Sequence, residues 1–349
     1  MTAGSDLTGG LSEELDYVFA TQPDDPEMRE SVNVWMWDNG DRIGIPRIGI
    51  EAVGERWHAH DVQVNIASGD GRVFNRYGTG DTHDPLNAQG RPATLGAGPL
   101  SFECIEPFRH WRMRFDGRVH EWTCDEQIAG GQPPSEPSVR VQIDIDLHSA
   151  VPPWVNGGLL PAVKRVLEEQ DEGALIGGPR FEQLARARGT VVIGDVEHRI
   201  DGGALRIRRR GVRRLGTFRG HAWQSALFGS GRAFGYLVFP PRDDGLPTYN
   251  EGFIFDGDGE LIPAWVVDAP WLKHLQHHGD DATVVIESEQ GTTTIEAETV
   301  MSTFMVMGGV GPGTEGYPVL QQAVTRFRWD GEEANGMMER SVPGNLIEP

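Results

Sequence analysis

Apolar and polar residues alternate with a period of two through most of this chain, and apolar residues fall at helical spacing in one main place. The clearest alternation is SVRVQIDIDLHS, where Val139, Val141, Ile143, Ile145 and Leu147 share one side and Arg140, Gln142, Asp144, Asp146 and His148 the other. Successive side chains of a strand point to opposite faces, so one side is core and the other meets solvent or a polar cavity. The same period runs through VNVWMW from Val32, through RIGIPRIGIEAV after a turn at Asp38-Asn39-Gly40-Asp41, and through HDVQVNIA up to Gly69-Asp70-Gly71. Strand-length runs closed by Asn/Asp/Gly pairs signal hairpins. Residues 78–99 read as a Gly/Pro-rich loop across one end of a sheet. Three short strands follow at 100–105, 110–115 and 119–124, the last two joined through a turn at Asp116-Gly117.

The period then changes. Leu159, Leu160, Val163, Val166 and Leu167 match a helix, bounded by Pro152-Pro153 and Gly177-Gly178, which predicts one substantial helix over 159–172 bridging two β regions. Beyond Gly189 the period of two resumes. Shorter helical turns are expected at 12–20, with Ser12 as N-cap, and around 270–278. An aromatic-Asp-Gly triplet recurs at Phe115, Phe255 and Trp329 and marks either equivalent hairpins or a favoured turn. The division read from these patterns is an N-terminal extension (1–30), a first β domain (31–156), a linker helix region (157–188) and a second β domain (189–349). Many short strands with closely spaced turns predict a mainly β chain of antiparallel barrels or sandwiches.

Composition narrows the function classes. With 52 acidic and 31 basic residues the net charge is -21, which opposes nonspecific attraction to nucleic acid or anionic membrane. The one dense basic run, RIRRRGVRR at 206–214, reads as a solvated strand face balancing acidic loops. No stretch reaches the ~18 apolar residues of a membrane helix, and the N-terminus lacks a basic segment leading into an apolar one. The expectation is a cytoplasmic protein. Cys104 and Cys124 are the only cysteines; they read as buried thiols, with a disulfide as the alternative.

Candidate chemistry concentrates between His221 and Phe255. Alternation puts His221, Trp223, Ser225 and Leu227 on one face of a strand, and Tyr249, Glu251, Phe253 and Phe255 on one face of another, with Tyr236 on the strand between. A carboxyl group in an apolar cavity has its pKa raised, and a histidine titrates near neutrality, so His221 and Glu251 can supply acid and base while Trp223, Tyr249, Phe253 and Tyr236 hold a substrate. Glu51, Glu103 and Glu339 are further acids on apolar strands. His58 and His60 stand at i and i+2, a spacing that can chelate a metal, but no third ligand follows within reach, so they are expected to line a cavity without metal. Gly308-Gly309-Val310-Gly311 lacks the lysine and helix of a phosphate loop, and no serine lies in a nucleophile elbow. No cofactor is expected.

Gly220-His221-Ala222-Trp223, the GSGR hairpin, the aromatic strand after it and Phe255-Asp256-Gly257 together resemble the carotenoid 1,2-hydratase-like superfamily. That resemblance implies two lipocalin-like (calycin-type) β domains in tandem and a cofactor-independent hydratase, dehydratase or isomerase. The implied partner is a hydrophobic small molecule, a terpenoid- or steroid-like alcohol or alkene, in a pocket lined by Trp, Phe and Met; a non-catalytic carrier or sensor is the alternative. The superfamily's frequent motif is Asp-His followed by Trp-Gly. Here Gly220 stands where the Asp would be and Gln224 where the Gly would be, so His221 and Trp223 are the matched positions.

Overall fold

A computed structural model describes residues 6–348 apart from 171, 172, 174, 175, 177, 215–218 and 317. The first half of the chain supplies β1 (Arg29–Asp38), β2 (Ile43–Val53), β3 (Ala59–Ser68), β4 (Arg72–Asp81), β5 (Thr94–Ala97), β6 (Leu100–Glu106), β7 (His110–Thr123) and the short helix α1 (Cys124–Ile128). Next come β8 (Val139–Ser149), β9 (Trp154–Val155), helix α2 (Pro161–Glu169), β10 (Arg180–Ile193) and β11 (Val196–Gly211). The remainder supplies β12 (His221–Leu227), β13 (Ala233–Val238), β14 (Asn250–Phe255), β15 (Ile262–Asp268), β16 (Val284–Ser288), β17 (Gly291–Val306), β18 (Pro318–Trp329) and β19 (Glu332–Pro343).

All strand pairs are antiparallel, and they form two units. In the first, the order β4-β3-β2-β1-β11-β10-β8-β7 closes on itself because β4 also pairs with β7, while β6 and β5 continue from the other half of β7. In the second, β12 to β19 follow chain order and close through β12 and β19. The fold is the expected pair of lipocalin-like barrels.

Alternation decides what each barrel encloses. Val32, Val34 and Met36 of β1 join Ile48, Ile50, Val64, Phe102, Met113 and Ile145 inside the first barrel, with Cys104 among them. Both cysteines are free, and burial pushes each thiol up to about 12. Ala222, Ala226, Phe234, Tyr236, Ile254 and Phe327 fill the second barrel. A third cluster, with Trp35, Trp37, Leu205, Ile207, Trp223, Leu237, Tyr249 and Phe253, lies where the outer walls of the two barrels meet. β12, β13 and all of β14 but Asn250 are therefore buried on both faces, one against the barrel interior and one against the neighbouring barrel.

Several local expectations change. Residues 180–211, on the C-terminal side of the helix, return to the first sheet, where β11 pairs with β1 and β10 with β8, so the chain leaves that sheet only after Gly211. The linker region of 157–188 and a second domain starting at 189 do not match this pairing. Within the described residues the helix covers Pro161–Glu169; 171 and 172 lie outside them. Asp116-Gly117 is no turn: β7 runs straight through it, because Arg140 and Gln142 on β8 hold the Asp116 carboxylate as an ordinary cross-strand partner. The 270–278 segment is not helical, and the N-terminal helix shrinks to a single turn, Glu13–Leu15, whose Ser12 makes no side-chain cap bond.

The basic run departs furthest. Arg206 and Arg208 are 2% and 1% exposed. The turn after Leu15 brings Asp16 and Tyr17 over the first barrel: Asp16 accepts from Arg206 at 2.7 Å, from Trp111 Nε1 at 2.8 Å and from the Phe108 N–H at 2.6 Å. Arg208 and Arg210 share the Glu30 carboxylate at 3.0 and 2.9 Å and donate to the Tyr17 carbonyl. Burial of a charge is tolerated when it is paired and fully hydrogen-bonded. These arginines tie the N-terminal segment to the barrel.

Candidate functional site

A cavity of about 460 Å³ lies between the barrels. The first barrel contributes Asn33 and Trp35 from β1, Arg47 from β2, Arg180 from β10, and Ile207 and Arg209 from β11; the second contributes His221 and Trp223 from β12, Leu237 from β13, Leu320 from β18, and Glu339 and Ser341 from β19. Every one of these faces outward from its own barrel. The volume is thus enclosed by two convex walls, and neither barrel interior holds it.

His221 is 7% exposed and hydrogen-bonded on both sides, with Nε2 3.2 Å from Glu339 Oε1 and Nδ1 2.9 Å from Ser341 Oγ. Gln322 Nε2 donates to the other Glu339 oxygen at 2.5 Å. Burial alone would raise the Glu339 carboxyl, but the hydrogen bond and charge of His221, then the charge of Arg47 and the Gln322 amide, override it and hold it at about 2. An ionised carboxylate only accepts, so Nε2 of His221 carries the proton and Nδ1 faces the Ser341 hydroxyl. Gly220 sets the turn into this strand. Its φ is +106°, and a side chain there would overlap the Ser341 carbonyl oxygen. The aspartate of the superfamily motif therefore has no room at this position.

Trp223 forms the adjoining wall. Its indole meets Trp35 edge-on with centroids 4.7 Å apart, the Arg180 guanidinium lies 5.1 Å over it, and Nε1 donates to Glu182 at 3.0 Å. Glu182 also accepts from Arg180 at 2.6 Å and from Asn156 at 3.2 Å; burial pushes its carboxyl up against the pull of these partners.

Glu251 is placed elsewhere. Its carboxylate accepts from Trp154 Nε1 at 2.9 Å and from the backbone N–H groups of Gly157, Leu159 and Leu160 at 2.6, 3.0 and 2.8 Å, with the Tyr249 hydroxyl at 3.4 Å. Burial pushes it up while these donors pull it down. It anchors the loop entering α2 to the second barrel and does not line the cavity. Tyr249 and Phe253 share that outer face but pack into the seam with Phe239 and Trp154. Tyr236 points into the second barrel, where no described residue bonds its hydroxyl. His58 and His60 are not together: His58 precedes β3 and is exposed, while His60 is buried against Trp57 and held at about 4 by that burial. Neither lines the cavity, and among the described residues no group of three His, Cys, Asp or Glu is placed to hold a metal.

Of the expected site, His221 and Trp223 meet in the cavity wall. Glu339 stood among the further acids; Ser341, Arg47, Arg180 and Arg209 were missed. The signal for Glu339, Ser341 and Arg209 was the alternation of β19 and β11: Met337, Glu339 and Ser341 fall to one side, as do Leu205, Ile207 and Arg209.

Residues 13–343 match the family described as Domain of unknown function (DUF7064). The chain belongs to that family. No curated protein matches it in sequence. Solved structures share its fold: an AttH-like protein of Nitrosomonas europaea (12% identity, 92% of this chain and 93% of that one, TM-score 0.54), CghA with Sch210972 (13%, 91% and 89%, 0.55) and kievitone hydratase of Nectria haematococca (10%, 98% and 97%, 0.51). This DUF7064 chain therefore shares the fold of those structures, here two antiparallel β-barrels in tandem. Among its described residues no helix is long and apolar enough to cross a membrane.

Proposed function

We propose that the protein is a cofactor-independent hydratase, dehydratase or isomerase acting on a terpenoid- or steroid-like alcohol or alkene held between the barrels. The observation that carries this reading is the His221 imidazole in the cavity wall, hydrogen-bonded to an ionised Glu339 and next to two tryptophans. The fold shared with kievitone hydratase supports it.

In the dehydration direction, imidazolium His221 gives a proton to the substrate hydroxyl, the C–O bond breaks and water leaves. Neutral His221 then takes a proton from the neighbouring carbon as the double bond forms, and is an imidazolium again. Hydration is the reverse. Because Glu339 occupies Nε2, Nδ1 is the working nitrogen, with the Ser341 hydroxyl as the relay or turned aside by the substrate. Glu339 stabilises the imidazolium, and the faces of Trp35 and Trp223 stabilise positive charge developing on carbon. Glu251, first expected as the acid, is the helix anchor in this scheme.

The test incubates parent protein, His221→Ala and Glu339→Gln with a panel of isoprenoid and steroid alcohols and alkenes, and follows gain or loss of one water by mass spectrometry, with chromatography for isomers. Conversion by the parent that disappears in His221→Ala is expected. Conversion surviving that substitution would overturn the site, and binding without conversion across the panel would put the carrier reading in its place.

A further inference from the structure

The arginines of β11 divide between two surroundings. Arg206, Arg208 and Arg210 point toward the first barrel's interior and each meets Asp16 or Glu30. Arg209 points the opposite way, lines the cavity at 7% exposure, and among the described residues has neither hydrogen bond nor ion pair. Burial and the charges of Arg213, Arg180 and Arg47 push its guanidinium well below the ordinary value; Glu51 opposes them but is itself ion-paired with Arg29. Arg47 adds to the imbalance. Its Nε donates to Asn33 at 3.2 Å and its guanidinium lies 5.4 Å over Trp35, with no carboxylate bonded to it among the described residues. Of the carboxylates nearby, Glu182 is engaged by Arg180 and Glu339 by His221 and Gln322, while Glu315 stands exposed in the cavity lining and accepts from the Gly313 N–H. A buried cation without a bonded counter-charge is costly, and a chain with a net charge of -21 has carboxylates to spare yet bonds none of those described to Arg209.

We propose that the cavity's ligand supplies the missing charge: an oxyanion head, carboxylate or phosphate, bound by Arg209 and Arg47, on an apolar body packed against Trp35, Trp223, Leu237 and Phe239. The inference rests on the inter-barrel cavity being the ligand site and deepens the reading above. The substrate is then an amphipathic anion whose head is fixed at the first barrel's wall while its apolar part lies along His221. A planar guanidinium matches such oxygens two at a time.

Isothermal titration calorimetry with farnesoic acid, farnesyl phosphate and farnesol tests it, since the three share one apolar body and differ in the head. Farnesoic acid or farnesyl phosphate should bind about 10- to 100-fold tighter than farnesol, as charge-assisted hydrogen bonds in a buried site are worth. The stronger of the two identifies the head. Arg209→Met should erase the preference and Arg209→Lys retain part of it. The ligand-free Arg209→Met protein should melt no lower than the parent, because an uncompensated charge has been removed. Equal binding of acid, phosphate and alcohol, or no binding by any, overturns the proposal, as does a preference that survives Arg209→Met alongside a lowered melting temperature. Selective binding of the anions without turnover would keep this inference and remove the enzyme; turnover of neutral alcohols without anion preference would do the reverse.

Discussion

Two glutamates stand on the outer wall of the second barrel, both buried in the seam, and they do opposite things. Glu251 is surrounded by fixed donors, three of them backbone N–H groups of the loop that enters α2, so its carboxylate is the joint through which the first barrel's helix region is tied to the second barrel. Glu339 meets a titratable partner, His221, and both open onto empty volume. Burial alone therefore does not identify a catalytic acid. The donors around it and the presence of space for a substrate do.

The largest expected effect falls on the cavity side. His221→Ala should lower turnover by about 100- to 10,000-fold, the usual cost of losing a general acid or base, while the barrel still folds. Steady-state rates of conversion beside a thermal melt check this; an equal loss of rate and stability would erase the contrast with Glu251.

Glu251→Ala should show the converse. It strands the buried donors of Trp154 and Gly157 and the partly buried ones of Leu159 and Leu160, so about 3 kcal/mol or more of stability should vanish in urea unfolding, with kcat of the folded fraction nearly unchanged. A stable variant without turnover would make Glu251 the catalytic acid after all.

Glu339→Gln keeps the imidazole and removes the charge that stabilises its protonated form. A loss of about 10- to 100-fold in kcat, smaller than for His221→Ala, is expected.

The smallest effect is in the pH dependence of stability, and its sign separates the two acids. Glu339 is held at about 2, below the ~4.3 of an unfolded glutamate, so its contribution is complete above that higher value and fades as pH falls toward 2. Glu251 is pushed up by burial, so protonation in mild acid favours the folded form and its contribution has the opposite slope. Melting curves of the parent and the two Gln variants between about pH 7 and pH 2 should show slopes changed in opposite directions, for Glu251 above the ~4.3 of the unfolded residue and for Glu339 below it. Parallel changes would mean that the two environments differ less than their hydrogen bonds indicate.

Much of this arrangement was legible in the alternation. It placed His221 with Trp223 and Tyr249 with Glu251 and Phe253 on shared faces, and both groupings hold. The arginine run misled because charge on a strand is ordinarily solvated; Asp16 and Glu30, nearly 200 residues earlier, bury one face, and no local pattern announces that pairing. His58 and His60 misled because the spacing argument requires both on one strand, and β3 begins between them.

By itself the sequence determined the strands, the helix, the class of fold and which residues share each face, because backbone sterics and hydrophobic patterning act over a few residues. Tertiary structure decided what each face meets. A period of two separates Arg209 from Arg208 but cannot say which side is a barrel interior sealed by Asp16 and Tyr17 and which is a cavity. That depends on how two closed sheets, joined only after Gly211, lean their outer walls together. The site belongs to the seam, and a seam exists only when both walls are present.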